Sequence, residues 1–195
     1  MKIKRFFILF GLFILITIPN YLIYRKVIFS YLSQVRSFYT IRFTNTPLFI
    51  ISYLILSGLY FVTVFYQLYN KKVHKHFVTI SLFIYFLLLI FILFFKSVGI
   101  RGYEWNIFKL LEYLRYDTIA ALINISLFIP LGVFIKKLNI KTLFLLICML
   151  FGVETIQYIF SLGIFDILDI LFNFIGLLLG YQLRRFLKSQ NIVIE

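Results

Sequence analysis

Runs of about 20 apolar residues, almost free of charge, recur along this chain, and no other feature constrains its fold so tightly. A helix rising about 1.5 Å per residue crosses a hydrocarbon core about 30 Å thick in one such run. The rest of the composition agrees: 63% of the 195 residues are hydrophobic and the mean hydropathy is +1.01, more apolar surface than a soluble fold can hide. The expected fold is therefore an all-α integral membrane helical bundle. Six transmembrane helices are placed at about 6–24, 47–69, 77–95, 119–136, 141–160 and 165–183, with one or two amphipathic interfacial helices between them. Together they make a single membrane domain with an N-terminal region, 1–95, and a second region, 96–195.

The charge pattern supports this and sets an orientation. A net charge of +13 could point to nucleic acid, but the 20 Lys and Arg lie between and beside the apolar runs and do not form a patch on a folded surface, so no nucleic-acid partner is expected. Basic residues placed in that way flank membrane helices and touch anionic lipid head groups. With both termini cytoplasmic, twelve of them fall in short inner segments, including Lys71, Lys72, Lys75, Lys136, Lys137 and Lys141. The other eight, Arg101 and Arg115 among them, are diluted over two outer loops of roughly 22 residues. Met1 to Asn20 has the basic head and apolar body of a signal peptide, but no small-x-small cleavage site follows, so an uncleaved first helix is expected.

Both long outer loops carry helical periodicity. Ile28, Tyr31, Leu32, Val35, Phe38 and Tyr39 form one apolar stripe, and Ile107, Leu110, Leu111 and Leu114 form another opposite Lys109, Glu112 and Arg115. Tyr103, Trp105, Tyr113 and Tyr116 suit an aromatic belt at head-group depth. The chain shows no internal repeat and no convincing pair of inverted halves, which weakens a secondary-transporter reading. The lone Cys148 lies inside an apolar run and reads as a packing residue; His74 and His76 offer at most two ligands, and no metal site is expected there.

Polar groups inside membrane spans cost free energy and so are functional candidates. They gather in the last third of the chain as Asn124, Glu154, Gln157, Asp166, Asp169 and Asn173, and the first half offers nothing comparable. From the helical rise, Asn124 and Glu154 lie about 8–9 Å below the outer ends of their helices, with Asp166 and Asp169 about 2–6 Å in. Glu154 and Gln157 are three apart, and Asp166, Asp169, Asn173, Gly176 and Gly180 share one helix face, so a single outward-opening pocket can hold the polar set. Gly176 and Gly180 form G-x-x-x-G for close helix approach, while Pro130 with Gly132 should loosen the Asn124 helix. Simpler roles are also open: amide hydrogen-bond glue for Asn124, Gln157 and Asn173, an N-cap for Asp166, and structural ion pairs of Glu154 and Asp169 with Arg101 or Arg115.

The stretch N-I-S-L-F-I-P-L-G at Asn124 to Gly132, then Glu154-x-x-Gln157, then F-D-I-L-D-I-L-F-N-F-I-G at Phe165 to Gly176 with Gly180-Tyr181, resembles the VanZ-like family. The resemblance covers about 90 residues from Trp105 onward. Gly163-Ile164-Phe165 stands where members often carry an Arg before the first aspartate, Leu168-Asp169 replaces a pair of aspartates, and Asn106-Ile107-Phe108 lacks a proline that members often show. The resemblance implies a multi-pass cell-envelope membrane protein of a Gram-positive bacterium, linked to low-level resistance against teicoplanin and related glycopeptides or lipoglycopeptides. Three activities are compatible with the residues. One is binding of a lipid-linked cell-wall precursor or a lipidated antibiotic in the acidic pocket, by Asn124, Glu154, Gln157, Asp166, Asp169 and Asn173 with Arg101 and Arg115. A second is acid–base chemistry on a lipid head group or polyprenyl phosphate, with Glu154, Asp169 and Asp166 catalytic; no cofactor is needed, though a divalent cation held by the three acids and Asn124 would assist. The third is transport or flipping coupled to Glu154.

Overall fold

The apolar runs become helices in the computed structural model, which describes residues 2–29, 45–95, 97–190 and 193–194. In chain order the elements are α1 (Lys2–Ile23), a π-helical turn (Tyr24–Ile28), α2 (Pro47–Tyr69), β1 (Lys72–Val73) and α3 (Lys75–Phe95). There follow β2 (Ile100–Glu104), a 3₁₀ turn (Ile107–Lys109), α4 (Leu110–Tyr116), α5 (Thr118–Gly132), α6 (Ile140–Ile159), β3 (Leu162–Asp166), α7 (Ile167–Ser189) and β4 (Val193–Ile194). Among the described residues, five helices are long and apolar enough to cross a membrane, or six if the bent pair 107–116 and 118–132 counts as one span. The expected interfacial helix of the first long loop falls mostly on residues 30–44, outside the described residues.

The chain divides into two compact units, Met1–Ile80 with Ile192–Glu195, and Ser81–Asn191. In the first unit α1 packs on α2 through polar as well as apolar contacts. Asn20 Nδ2 donates to Ser57 Oγ at 2.5 Å, and Tyr53 Oη donates to Asn20 Oδ1 at 2.9 Å. The ring of the fully buried Tyr24 lies 5.0 Å from that of Tyr53. Buried Gln67 accepts from His74 N at 2.8 Å, across the turn where Lys71 takes the left-handed φ of 54°. The first half, which by residue type offers nothing comparable to the polar set of the last third, nevertheless buries two amides, Asn20 and Gln67. Asn20 was hidden in the sequence because it follows Pro19 near the end of a run and reads there as a boundary.

The second unit is built on the pairing of α5 with α7. Gly132, Gly176 and Gly180 let the two backbones meet: a Cβ on Gly176 would collide with Ile125 O, and one on Gly180 with Ile129 O. Leu150, Phe128, Ile170 and Leu177 fill the core around this crossing. The fourth span, expected over 119–136, is shorter than that, 15 residues or ~23 Å of helix. It stops two residues after Pro130, where the ring removes a backbone donor. The carbonyls nearby are taken up from other helices, with Tyr85 Oη donating to Leu127 O at 2.5 Å and Arg184 Nη1 to Val133 O at 3.0 Å.

At the start of α5 the chain bends by 106° from the segment 107–116. The connection between α6 and α7 differs from the bare turn expected at Ser161 to Ile164. It contains β3, which pairs in parallel with β2 over the register Ile100↔Leu162 to Glu104↔Asp166. The last helix consequently starts at Ile167, not 165, and runs to Ser189. Five-residue strands some 60 positions apart leave no periodicity long enough to read in a sequence.

Candidate functional site

The crossing of α5 and α7, the bend before α5 and the β2–β3 ladder bring polar side chains together at one end of the second unit. Asp166 ends β3 and caps α7, its Oδ1 accepting from Leu168 N at 2.8 Å. One turn on, Asp169 Oδ1 accepts twice, from Asn124 Nδ2 of α5 at 2.6 Å and from Tyr113 Oη of α4 at 2.9 Å. That pair of donors ties α4 across the mouth of the α5–α7 pair, and the Tyr113 ring rests on Phe172 with centroids 5.4 Å apart. Glu154 comes from α6 and is 2% exposed; its Oε2 accepts from Asp166 N at 3.3 Å.

Above this network lies an open cleft of about 500 Å³. Its polar lining is Glu104, Lys109, Glu112, Tyr113, Asp117 and Asp166, with Tyr116, Ile164 and Leu168 as apolar or aromatic wall. The ladder register sets Glu104 beside Asp166, a like-charge pairing that Lys109 relieves through an ion pair to Glu104 at 2.5 Å. The two carboxyls respond in opposite directions. Burial pushes the Asp166 carboxyl up from its ordinary value, with Glu104 adding to the rise, while the Leu168 amide and Lys109 oppose it. The Lys109 hydrogen bond holds Glu104 below the ordinary range.

Of the expected site residues, Asn124, Glu154, Asp166 and Asp169 are brought together. Gln157 is directed elsewhere: its Nε2 donates to Leu93 O at 2.8 Å and fastens α6 to α3. Asn173 stays on the face of Asp169 but deeper, 2% exposed, and its Oδ1 is the buried side-chain atom without a hydrogen-bond partner among the described residues. Arg101 stacks on the Tyr158 ring, 4.4 Å from its centroid, and Arg115 on that of Tyr116 at 5.6 Å. Glu154, Asp166 and Asp169 do not form a metal-holding group, and no three of His, Cys, Asp and Glu do so among the described residues. The version of the site with a divalent cation on those three acids is thus not supported by their placement.

The sequence reading missed Glu104 and Asp117, and it assigned Glu112 and Tyr113 only to an interfacial face. One signal was available. The chain has seven acids, and six of them, Glu104, Glu112, Asp117, Glu154, Asp166 and Asp169, fall between positions 104 and 169. Trp105 marks the same place, its ring stacked on Phe165 at 4.7 Å beside Asp166.

Compared with known families, residues 49–188 match the family described as VanZ/LLP1, a longer stretch than the motif-bearing part from Trp105 onward. No curated protein and no solved structure matches the chain.

Proposed function

Since the chain belongs to the VanZ-like family, membrane proteins linked to antibiotic resistance, we propose that it contributes to glycopeptide and lipoglycopeptide resistance by binding an amphiphile in the acidic cleft of its second unit. The cleft opens toward the cell exterior, with both termini cytoplasmic, and its ligand is a lipid-linked envelope component or the lipidated antibiotic itself. Holding that ligand at the membrane surface lowers the drug's access to its target.

One observation carries this reading: a cleft of head-group size lies directly over a network of half-buried polar side chains from α4, α5 and α7, with the buried Glu154 of α6 beside it. Ligand sites combine apolar walls with a few fixed polar groups, and volumes of about 300–1,000 Å³ are usual for them. Asn124 and Tyr113 hold Asp169 in place before any ligand arrives, so little ordering is required on binding.

The test is teicoplanin susceptibility in a strain lacking the chain, complemented with wild type or with the Glu154→Gln, Asp169→Asn double variant, each checked for equal membrane levels. Loss of the chain should raise susceptibility, wild type should restore the original level, and the double variant should not. Full restoration by the double variant would remove the site from the account.

A further inference from the structure

The end of the second unit opposite the cleft carries the reverse charge. Lys136, Lys137 and Lys141 follow α5, and Arg184, Arg185 and Lys188 lie in the last turns of α7. No Asp or Glu occurs between positions 133 and 153 or between 170 and 190, and among the described residues no ion pair reaches any of these bases. Arg184 is half-buried and the other five are exposed.

Helix packing brings the two groups to one place. α5 and α7 run in the same direction, since the backbone at Ile125 lies against Gly176 and that at Ile129 against Gly180. α5 stops at Gly132, level with Gly180, whereas α7 continues for ~13 Å to Ser189. The chain after Gly132 is fastened along this step. Arg184 Nη1 donates to Val133 O at 3.0 Å, and Ile135 is buried in the core cluster that contains Leu177, against which Tyr181 packs. Lys136 and Lys137 follow directly, so the bases of the loop and those of α7 share one end of the crossing.

The depth of the step matters as much as its charge. A helix of 15 residues, ~23 Å, is shorter than a hydrocarbon core about 30 Å thick. A bilayer meets such a span by thinning locally while long flanking side chains reach for the head groups. Phosphates are thus drawn toward the bases. Beside them Leu179, Leu183 and Phe186, exposed at i, i+4 and i+7 along α7, give acyl chains an apolar face.

We propose that this step is a binding site for an anionic phospholipid, and that it prefers a head group carrying two phosphates. General attraction to a membrane surface asks only for positive charge. Two groups of three bases, joined through Arg184 and Val133, can instead be engaged together by linked phosphates, the second binding from a high effective concentration. The apolar face of α7 favours a lipid over a soluble phosphate. The site shares no residue with the acidic cleft, so the two stand or fall separately.

The full chain in maltoside micelles is titrated with cardiolipin, phosphatidylglycerol or phosphatidylcholine, and lipid adducts are counted by native mass spectrometry. One cardiolipin should bind saturably, with a half-saturation about tenfold or more below that of phosphatidylglycerol, and phosphatidylcholine should not saturate. Lys136→Gln with Lys137→Gln, and separately Arg185→Gln with Lys188→Gln, should each weaken cardiolipin about tenfold. Lys71→Gln with Lys75→Gln removes the same charge from the first unit and should change it by less than about twofold. The replaced side chains are all exposed, and the lipid comparison on wild type does not depend on any variant folding.

Equal affinity for cardiolipin and phosphatidylglycerol would overturn the preference for two phosphates. An equal loss from the Lys71 and Lys75 pair would reduce the effect to general charge and overturn the site, as would the absence of any saturable adduct. Displacement of cardiolipin by equimolar pyrophosphate would assign the bases to a soluble phosphate and overturn the lipid.

Discussion

Asp169 is the residue on which the site's geometry turns, because one carboxylate oxygen joins α4 and α5 to α7 through Tyr113 and Asn124. Interhelical hydrogen bonds in membrane proteins average about 0.6 kcal/mol and reach about 1.7. Tyr113→Phe keeps the ring on Phe172 and removes one donor, so unfolding in mild detergent should be easier by about 0.6–1.7 kcal/mol, read from a denaturant titration. Asp169→Leu strands both donors and should cost more than Tyr113→Phe and Asn124→Ala taken singly; a smaller effect would mean that the network is not formed. Residue types alone located Asn124 and Asp169, since polar atoms in apolar runs stand out. The sequence could not show that Gln157 turns to the Leu93 carbonyl, because a three-residue spacing fixes a helix face but not the neighbour it meets.

At the level of elements, the α5–α7 crossing positions everything else, and it depends on glycines that have no room for a methyl group. A Cβ at Gly180 would meet the backbone of Ile129 and lie 2.7 Å from Gly132 Cα, atoms that cannot move aside as a flexible side chain can. Gly152 on α6 has nothing within 4 Å of the same position. Gly180→Ala should therefore destabilise the fold by more than the about 1–3 kcal/mol typical of an overfilled core and lower the apparent melting temperature sharply, whereas Gly152→Ala should be close to neutral. A thermal scan of the two purified variants checks the contrast. The G-x-x-x-G of Gly176 and Gly180 announced this crossing in the sequence, but the parallel β2–β3 ladder did not announce itself. Its strands are five residues long, separated by α4, α5 and α6, and stabilised by a pairing that no local pattern encodes. That ladder is what puts Glu104 beside Asp166, so the sequence reading found Glu154, Asp166 and Asp169 and missed the cleft beside them.

For the molecule as a whole, hydropathy was enough to reach a helical membrane protein, and five or six spanning helices follow from it. The account adds a charge separation to that frame: bases distributed along the chain between the spans, and acids gathered over the ends of α5 and α7. Such an arrangement acts on a ligand only if the acid end meets the side from which the ligand comes, and orientation is therefore the decisive property. Cys148 is the single cysteine, so Cys148→Ser provides a background in which one new thiol can be followed. In that background, Glu112→Cys places a thiol in the cleft lining, where an impermeant maleimide can be offered to intact cells and to permeabilised ones. The account predicts labelling in intact cells at the rate seen in permeabilised ones; labelling that requires permeabilised cells would contradict it.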